Sequence, residues 1–567
     1  MSPTSTNNPS ESRREAALRF LAGRINYERA QSMPCSEEAF KLDRMRELLR
    51  RLGDPHRDVP IVHVAGTKGK GSTAAMMAAV LSAAGYRTGL FTSPHLDRIE
   101  ERIAMDGQPC SGEELAEAIE QVRPAVEAMD REAVNGTEAV NGAGLITEAE
   151  EGTGPVCRND AESVSQKLDL SRLPPEGPTY FEILTAAALW HFRRCKADAV
   201  VLEVGLGGRL DSTNVCTPCL SIITSISFDH VRQLGPTLAD IAGEKAGIIK
   251  PGVPVISGVR SEEPREVVRR IAQENGCRLV ELGVDFDFTY HPPQHLEQAA
   301  SLGRVDYSSR SATPVLEHRA ELSAHCSPRS EAPALERQAG VPKLELGNPM
   351  GRSDLGNQTC GLSDVAIGLL GRHQGANAAL TLAAVDELRH GGWTIPEAAV
   401  RRGLAELTWP ARIEVVARRP AVVLDAAHNA ASIAALIEVL AESFSVRRRI
   451  LVFATTQDKD IDGMLRHLTG RFHDVIFTRY LNNPRGVPPE DLPKKVGSEL
   501  FSSPLRASTE GWSGDATGDC HIRVAATPAE AWDAVRRLAT PDDLVCITGS
   551  FFFAAEMREQ ITLRPGG

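Results

Sequence analysis

Apolar positions along this chain alternate between two patterns. Short unbroken runs read as buried strands, and runs repeating every three to four residues read as amphipathic helices. The run Ile61-Val62-His63-Val64-Ala65 predicts a strand that breaks at Gly66, with residues 74–81 as the helix behind it. Further strands are predicted at 87–92, 199–204, 221–226 and 253–256, and helices at 15–21, 36–52, 113–129, 179–193, 377–388 and 395–407. Thr408-Trp409-Pro410 reads as an interdomain hinge. Beyond it, strands at 421–424, 449–454, 474–478 and 543–548 alternate with helices at 430–444, 461–472 and 528–538. Strand–helix alternation of this kind predicts doubly wound α/β units. The expected domains are 13–408 and a smaller one at 409–560.

Two stretches interrupt the pattern. Residues 132–177 and 290–364 carry Gly, Asn, Ser, Pro and charged residues without sustained period, and both are expected to be insertions, the second with room for strands that flank or interrupt it. Residues 1–12 are expected to be disordered, and 500–522 a Ser/Gly-rich loop.

Composition narrows the class. A length of 567 residues allows at least two sizeable cores, and 42% hydrophobic with 24% charged residues is the balance of a globular protein. The net charge of -12 disfavours nucleic acid and anionic membranes as partners. No apolar run reaches eighteen residues, the first fifteen residues have no signal-peptide core, and eleven cysteines lie scattered without a framework. A globular protein of the reducing cytoplasm is the expectation. Cys216-Thr217-Pro218-Cys219 stands alone, with no second pair to complete a zinc site.

The chemistry concentrates at predicted strand ends. Gly66-Thr67-Lys68-Gly69-Lys70-Gly71-Ser72-Thr73 joins a strand to a helix N-terminus, where glycines and the helix dipole favour phosphate. Lys70 would reach the outer phosphates, and the Ser72 and Thr73 hydroxyls can meet Mg²⁺. The spacing departs from the usual Walker pattern, because Gly71 separates Lys70 from Ser72. Ser93 lies at the end of the second strand. Glu203 closes an apolar strand, where an unpaired carboxylate is costly unless a cation is present. His230 follows the next strand.

Together these motifs resemble the folylpolyglutamate synthase/dihydrofolate synthase branch of the Mur ligases. The resemblance rests on His63 to Ser72, Thr92-Ser93-Pro94-His95-Leu96, Glu101-Arg102-Ile103, Glu203 to Asp211, Asp229-His230 and Glu244 to Ile248. It continues in Leu424-Asp425-Ala426-Ala427-His428-Asn429, Asp458-Lys459-Asp460 and Thr548-Gly549-Ser550. The resemblance implies a P-loop, Mur-ligase-like ATPase domain followed by a smaller Rossmann-like α/β domain. It also implies ATP-driven attachment of L-glutamate to dihydropteroate or a folate through an acyl phosphate.

By the same resemblance, Gly66, Thr67, Gly69, Lys70, Gly71 and Ser72 cradle ATP, joined by Asn377, Arg412 and Asp425. Ser72, Ser93 and Glu203 fall where the family holds one Mg²⁺, and His230 where it holds a second. Lys245 matches a lysine carried as a carbamate; the alternative is an exposed lysine paired with Glu244. Lys70, Lys245 and His230 form the implied catalytic set. Thr179, Tyr180, Phe181, Glu182, Leu210, Asp211 and Ser212 match the pterin pocket, and His428 and Ser550 the glutamate site. Lys68 replaces the family's usual asparagine and adds charge beside the nucleotide. A monomer is expected. The alternatives are another Mur-type amide ligase and a P-loop ATPase module without ligase activity.

Overall fold

The computed structural model describes residues 9–27, 42–142, 177–310, 360–495 and 520–563. Eight strands form its first sheet: β1 (Ile61–Ala65), β2 (Thr88–Phe91), β3 (Ile103–Met105), β4 (Gln108–Pro109), β5 (Ala199–Glu203), β6 (Leu220–Ile223), β7 (Val255–Ser257) and β8 (Leu279–Glu281). They lie in the order β4-β3-β2-β5-β1-β6-β7-β8. Pairing is parallel from β2 to β8 and antiparallel across β2-β3-β4. β1 sits between β5 and β6, its His63 opposite Leu202 on one side and Ser221 on the other. The chain leaves β1 for β2 on one side and later enters β6 on the other. The C-terminal ends of β5, β1 and β6 therefore surround a topological switch point, the place where open α/β sheets bind ligands.

Both faces of this sheet are covered, which is why β1, β2, β5 and β6 are buried at every position. The helix Lys70–Ala83 is buried on nearly all sides and is correspondingly apolar all round. Gly403, in the helix Glu397–Glu406, lets that helix approach it backbone to backbone; a Cβ there would lie 2.8 Å from Ala79 and Val80. The opposite face carries the helices Pro9–Ala22, Leu42–Arg51, Gly112–Gly142 and Tyr180–Arg194.

Two expectations are corrected here. The first helix begins at Pro9, inside the stretch expected to be disordered. The helix Gly112–Gly142 runs through the first eleven residues of the expected insertion, and Arg51 pairs with Glu132 at 2.6 Å on its way. Residues 143–176 lie outside the described residues. The second insertion has strands at its edges, as its reading allowed without placing them: β9 (Phe286–His291), β10 (Gly303–Ser309) and β11 (Cys360–Ile367), which make an antiparallel sheet in the order β11-β10-β9. Its buried positions, among them Tyr290, Val305, Tyr307 and Val365, join the core that includes the helix Arg372–His390. Period-two burial with polar residues facing outward hides such strands in a sequence that looks irregular. Residues 311–359 lie outside the described residues.

The second unit has six strands: β12 (Glu414–Arg418), β13 (Ala421–Leu424), β14 (Arg449–Phe453), β15 (Asp474–Phe477), β16 (His521–Val524) and β17 (Leu544–Thr548). Their order is β12-β13-β17-β14-β15-β16, with only β12 antiparallel to its neighbour. Edge strand β16 overlaps the expected Ser/Gly loop, of which 496–519 lie outside the described residues. Helices Ala430–Ser443 and Ile461–Leu468 cover one face, and Pro528–Leu538 and Phe551–Leu563 the other.

Three leucines of the first unit, Leu296, Leu370 and Leu96, reach into the second. Leu296 is buried in the core beneath Leu436, Leu440 and Phe444, its N–H on the Ser443 carbonyl at 3.0 Å. Leu96, from the loop after β2, packs on the opposite core. No helix among the described residues is long and apolar enough to cross a membrane.

Candidate active site

A cavity of about 1520 Å³ opens between the two units, at the switch point of the first sheet. The loop after β1 forms part of its floor. Gly66 has φ +147, and a Cβ there would lie 2.0 Å from Thr224 Oγ1, so the loop runs hard against the residues following β6. Hydrogen bonds lace the two together. Thr67 N–H donates to the Ser225 carbonyl at 2.7 Å, Thr224 Oγ1 donates to the Lys68 carbonyl at 2.6 Å, and Lys68 N–H donates to Ser225 Oγ at 3.1 Å. Gly69, at φ +86, caps the helix Lys70–Ala83 without a side-chain acceptor. That leaves the first helical N–H groups available to an anion, with Lys70 and Ser72 lining the cavity beside them.

Glu203 ends β5 next to this helix; a Cβ on Gly71 would lie 3.3 Å from its Oε2. The carboxylate is buried and accepts the Ser93 N–H at 3.1 Å. Burial raises its pKa, and Lys70 works in the opposite direction. His230, at φ +48, begins a single helical turn, Val231–Leu234, and faces the cavity. Desolvation by the cleft lowers its pKa, and Lys459, Lys70 and Lys245 add to the effect. Ser72, Ser93 and Glu203 offer hard oxygen donors of the kind Mg²⁺ takes. Among the described residues, no three His, Cys, Asp or Glu side chains gather as a metal cluster.

Lys245 is only 3% exposed, and its Nζ donates to the Gly66 carbonyl at 3.0 Å. Burial, then repulsion from Lys70, brings its pKa down to about 7. The alternative of an exposed lysine paired with Glu244 does not hold, because Glu244 pairs with Arg209 at 2.9 Å.

The second unit supplies the facing wall. Asp425, at the end of β13, accepts N–H groups from Ile413 at 2.9 Å and Ala427 at 2.8 Å. Burial raises its pKa, opposed first by Arg412. Arg412 lines the cavity between two residues of left-handed backbone, Ala411 and Ile413. His428 Nδ1 lies 2.9 Å from the Ala426 carbonyl, which can only accept, so Nδ1 carries the proton and Nε2 is the free acceptor. Ser550 is buried beyond the end of β17 and lines the same space. Asn377 comes from the first unit, its Nδ2 donating to Gln374 at 2.9 Å.

The expected pterin wall is only partly realised. Phe181 lines the cavity, its ring 5.7 Å from Phe91 and pressed against Gly205, where a Cβ would lie 2.6 Å away. Tyr180 does not reach the cavity. It occupies the first helical position, which points its ring into the core beneath the Arg102 guanidinium. Thr179 and Glu182 border the cavity, but their polar atoms form the capping box of the helix Tyr180–Arg194. Glu182 also binds Arg44 Nε, at 2.8 and 3.0 Å. Asp211 is similarly committed, accepting from Leu206 N–H, Thr213 N–H and Thr213 Oγ1 and so holding the glycine loop after β5. Leu210 and Ser212 line the cavity.

Sequence reasoning assigned no role to His373, Arg44 or Arg485, all of which line the cavity. His373 is pushed down to about 4 by burial, with Arg412 and Lys68 adding to it. Its place at the head of a helix after Gly371 was the available signal. Arg44 and Arg485 had none.

Known proteins resemble this chain in sequence and fold. Residues 411–551 match the family described as Mur ligase, glutamate ligase domain. The dihydrofolate synthase/folylpolyglutamate synthase of Bacillus subtilis is 31% identical over 92% of this chain and 94% of its own length. Its Mycobacterium tuberculosis counterpart is 32% identical over 91% of this chain and 89% of its own. The Mycobacterium tuberculosis folylpolyglutamate synthase structure complexed with ADP and AMPPCP superposes with a TM-score of 0.70 at 27% identity, covering 98% of this chain and 100% of that one. E. coli FolC in complex with DHPP and ADP gives 0.67 at 26% identity, with the same coverage. With these relatives matching nearly end to end, the chain belongs to the folylpolyglutamate synthase/dihydrofolate synthase family of Mur ligases.

Proposed function

We propose that this protein is an ATP-dependent ligase that joins L-glutamate to the free carboxyl group of dihydropteroate or a reduced folate. One observation carries the reading: the phosphate loop after β1 and the second unit's Arg412, Asp425, His428 and Ser550 line a single cavity. A nucleotide switch needs only the first of these walls, whereas a ligase must hold nucleotide, acid and amine together.

A carboxylate is a poor electrophile, and ATP supplies the missing leaving group. A carboxylate oxygen attacks the γ-phosphorus, the bond to the bridging oxygen breaks, and ADP departs, leaving an acyl phosphate. The glutamate amine then attacks the acyl carbon and loses a proton, and inorganic phosphate leaves. The protein's part is positioning and neutralisation of charge. Lys70 and the N-terminus of the helix Lys70–Ala83 face the transferring phosphoryl group. Asn377, Arg412 and Asp425 hold the rest of the nucleotide, and His428 and Ser550 the incoming amino acid. Phe181, Leu210 and Ser212 frame the flat pterin. Ser72, Ser93 and Glu203 would hold one Mg²⁺ and His230 a second, lending positive charge to the phosphates. Lys245 acts as its carbamate, an anion beside that charge. A cytoplasmic monomer is taken as the working form.

The decisive test supplies purified protein with ATP, labelled glutamate and either dihydropteroate or tetrahydrofolate. Glutamate-dependent ADP release with label in a folate product is expected, and Lys70→Ala should abolish it in a folded protein. ADP release independent of both acceptor and glutamate would overturn the ligase reading.

A further inference from the structure

We propose that Glu414 and Arg558 are positioning residues that aim Arg412 into the cavity, an inference that rests on Arg412 as a nucleotide contact. The residues on either side of Arg412 both occupy the left-handed region, Ala411 at φ +54 and Ile413 at φ +51. For alanine this is uncommon, and for a β-branched isoleucine it is an outlier. Two such residues around one arginine persist only where the surroundings hold them.

The holding groups are all carboxylates or backbone. Glu414 Oε2 accepts the Ala411 N–H at 2.9 Å, and Asp425 Oδ2 accepts the Ile413 N–H at 2.9 Å. The Ala411 carbonyl accepts the Ala426 N–H at 2.9 Å, which ties the turn to the residue after Asp425. Asp425 is itself fixed by the Ala427 N–H. Glu414 is fixed by the guanidinium of Arg558, which pairs with the same Oε2. Arg558 does not line the cavity itself. It projects from the helix Phe551–Leu563, which starts immediately after Ser550. Arg558 and Glu414 thus link the segment assigned to the amino acid with the backbone that orients the nucleotide arginine. Without the pair, Ala411 and Ile413 would relax to right-handed or extended conformations, and the Arg412 side chain would leave its line into the cavity.

A double-mutant cycle tests this, read as kcat and KM for ATP in the glutamate-dependent reaction. Glu414→Gln and Arg558→Met are each expected to lower kcat/KM for ATP about tenfold, chiefly through KM. Arg558→Lys, which keeps the charge but not the fork, gives a smaller loss. In an Arg412→Ala background, neither Glu414→Gln nor Arg558→Met costs anything more. Ala411→Gly recovers part of the Glu414→Gln loss, because glycine enters the left-handed region freely. Thermal unfolding confirms that each variant is folded at the assay temperature. Additive losses, or no recovery from Ala411→Gly, would overturn the positioning role while leaving Arg412 as a nucleotide contact. Arg412→Ala at full kcat/KM for ATP would overturn both.

Discussion

Lys245 offers the sharpest perturbation. An amine captures carbon dioxide only when unprotonated, so its pKa sets whether the carbamate can form. An ordinary lysine at 10.5 is about 0.1% free amine at pH 7.5. With Lys245 brought to about 7 by burial and by Lys70, roughly three-quarters is free amine at the same pH. The site therefore raises the reactive fraction by nearly three orders of magnitude. Lys70, which repels the ammonium, would attract a carbamate in its place. Activity should depend on dissolved carbon dioxide and fade as pH falls through about 7, where the ammonium form returns. The sign for stability is the same. The unfolded chain binds the extra proton between about 7 and 10.5, so this group's contribution to stability grows as pH rises across that window. The assay compares ADP release in degassed buffer with and without added bicarbonate, alongside ¹³C-bicarbonate NMR for a carbamate resonance. Lys245→Ala should be inactive and partly restored by acetate, which returns a carboxylate to the vacated space. An unmodified lysine by intact mass in fully active, Mg²⁺-loaded protein, with no response to carbon dioxide, would refute the reasoning.

Two further outcomes follow from the geometry. Gly69→Ala places a Cβ 2.4 Å from Asn377 Oδ1 at φ +86, so it combines a left-handed penalty of about 1–2 kcal/mol with displacement of Asn377, the proposed nucleotide contact. It should lower the melting temperature and raise KM for ATP, and unchanged values of both would mean that the loop is loose there. Phe181→Ala should weaken use of dihydropteroate roughly tenfold and that of a reduced folate less, since a second binding mode need not share this wall. Equal losses in parallel kcat/KM measurements would remove Phe181 from pterin selection.

The separation between local and tertiary information is plain in individual residues. Strands such as β1, β5 and β13 were readable because they are buried on both faces and therefore apolar throughout. The helix Pro528–Leu538 was readable to the residue, since Thr527 caps it and Pro528 opens it. The glycine turn before Lys70 was readable as a turn, because few other residues tolerate its backbone angles. β9, β10 and β11 were readable only as strands that could flank or interrupt an irregular stretch, without bounds or partners. Their pairing joins segments far apart in the chain, and their polar faces resemble a loop. Tyr180 looked like Phe181 by composition; one helical position decided that the first ring enters the core and the second the cavity. Thr179, Glu182 and Asp211 looked like substrate ligands, yet capping and loop closure use their oxygens, a competition that only the folded geometry settles. The left-handed turn around Arg412 and its support by Arg558 left no trace in the sequence pattern. Local preference set which segments are strands, helices and phosphate turns, whereas long-range packing chose which side chains face one another across the cavity.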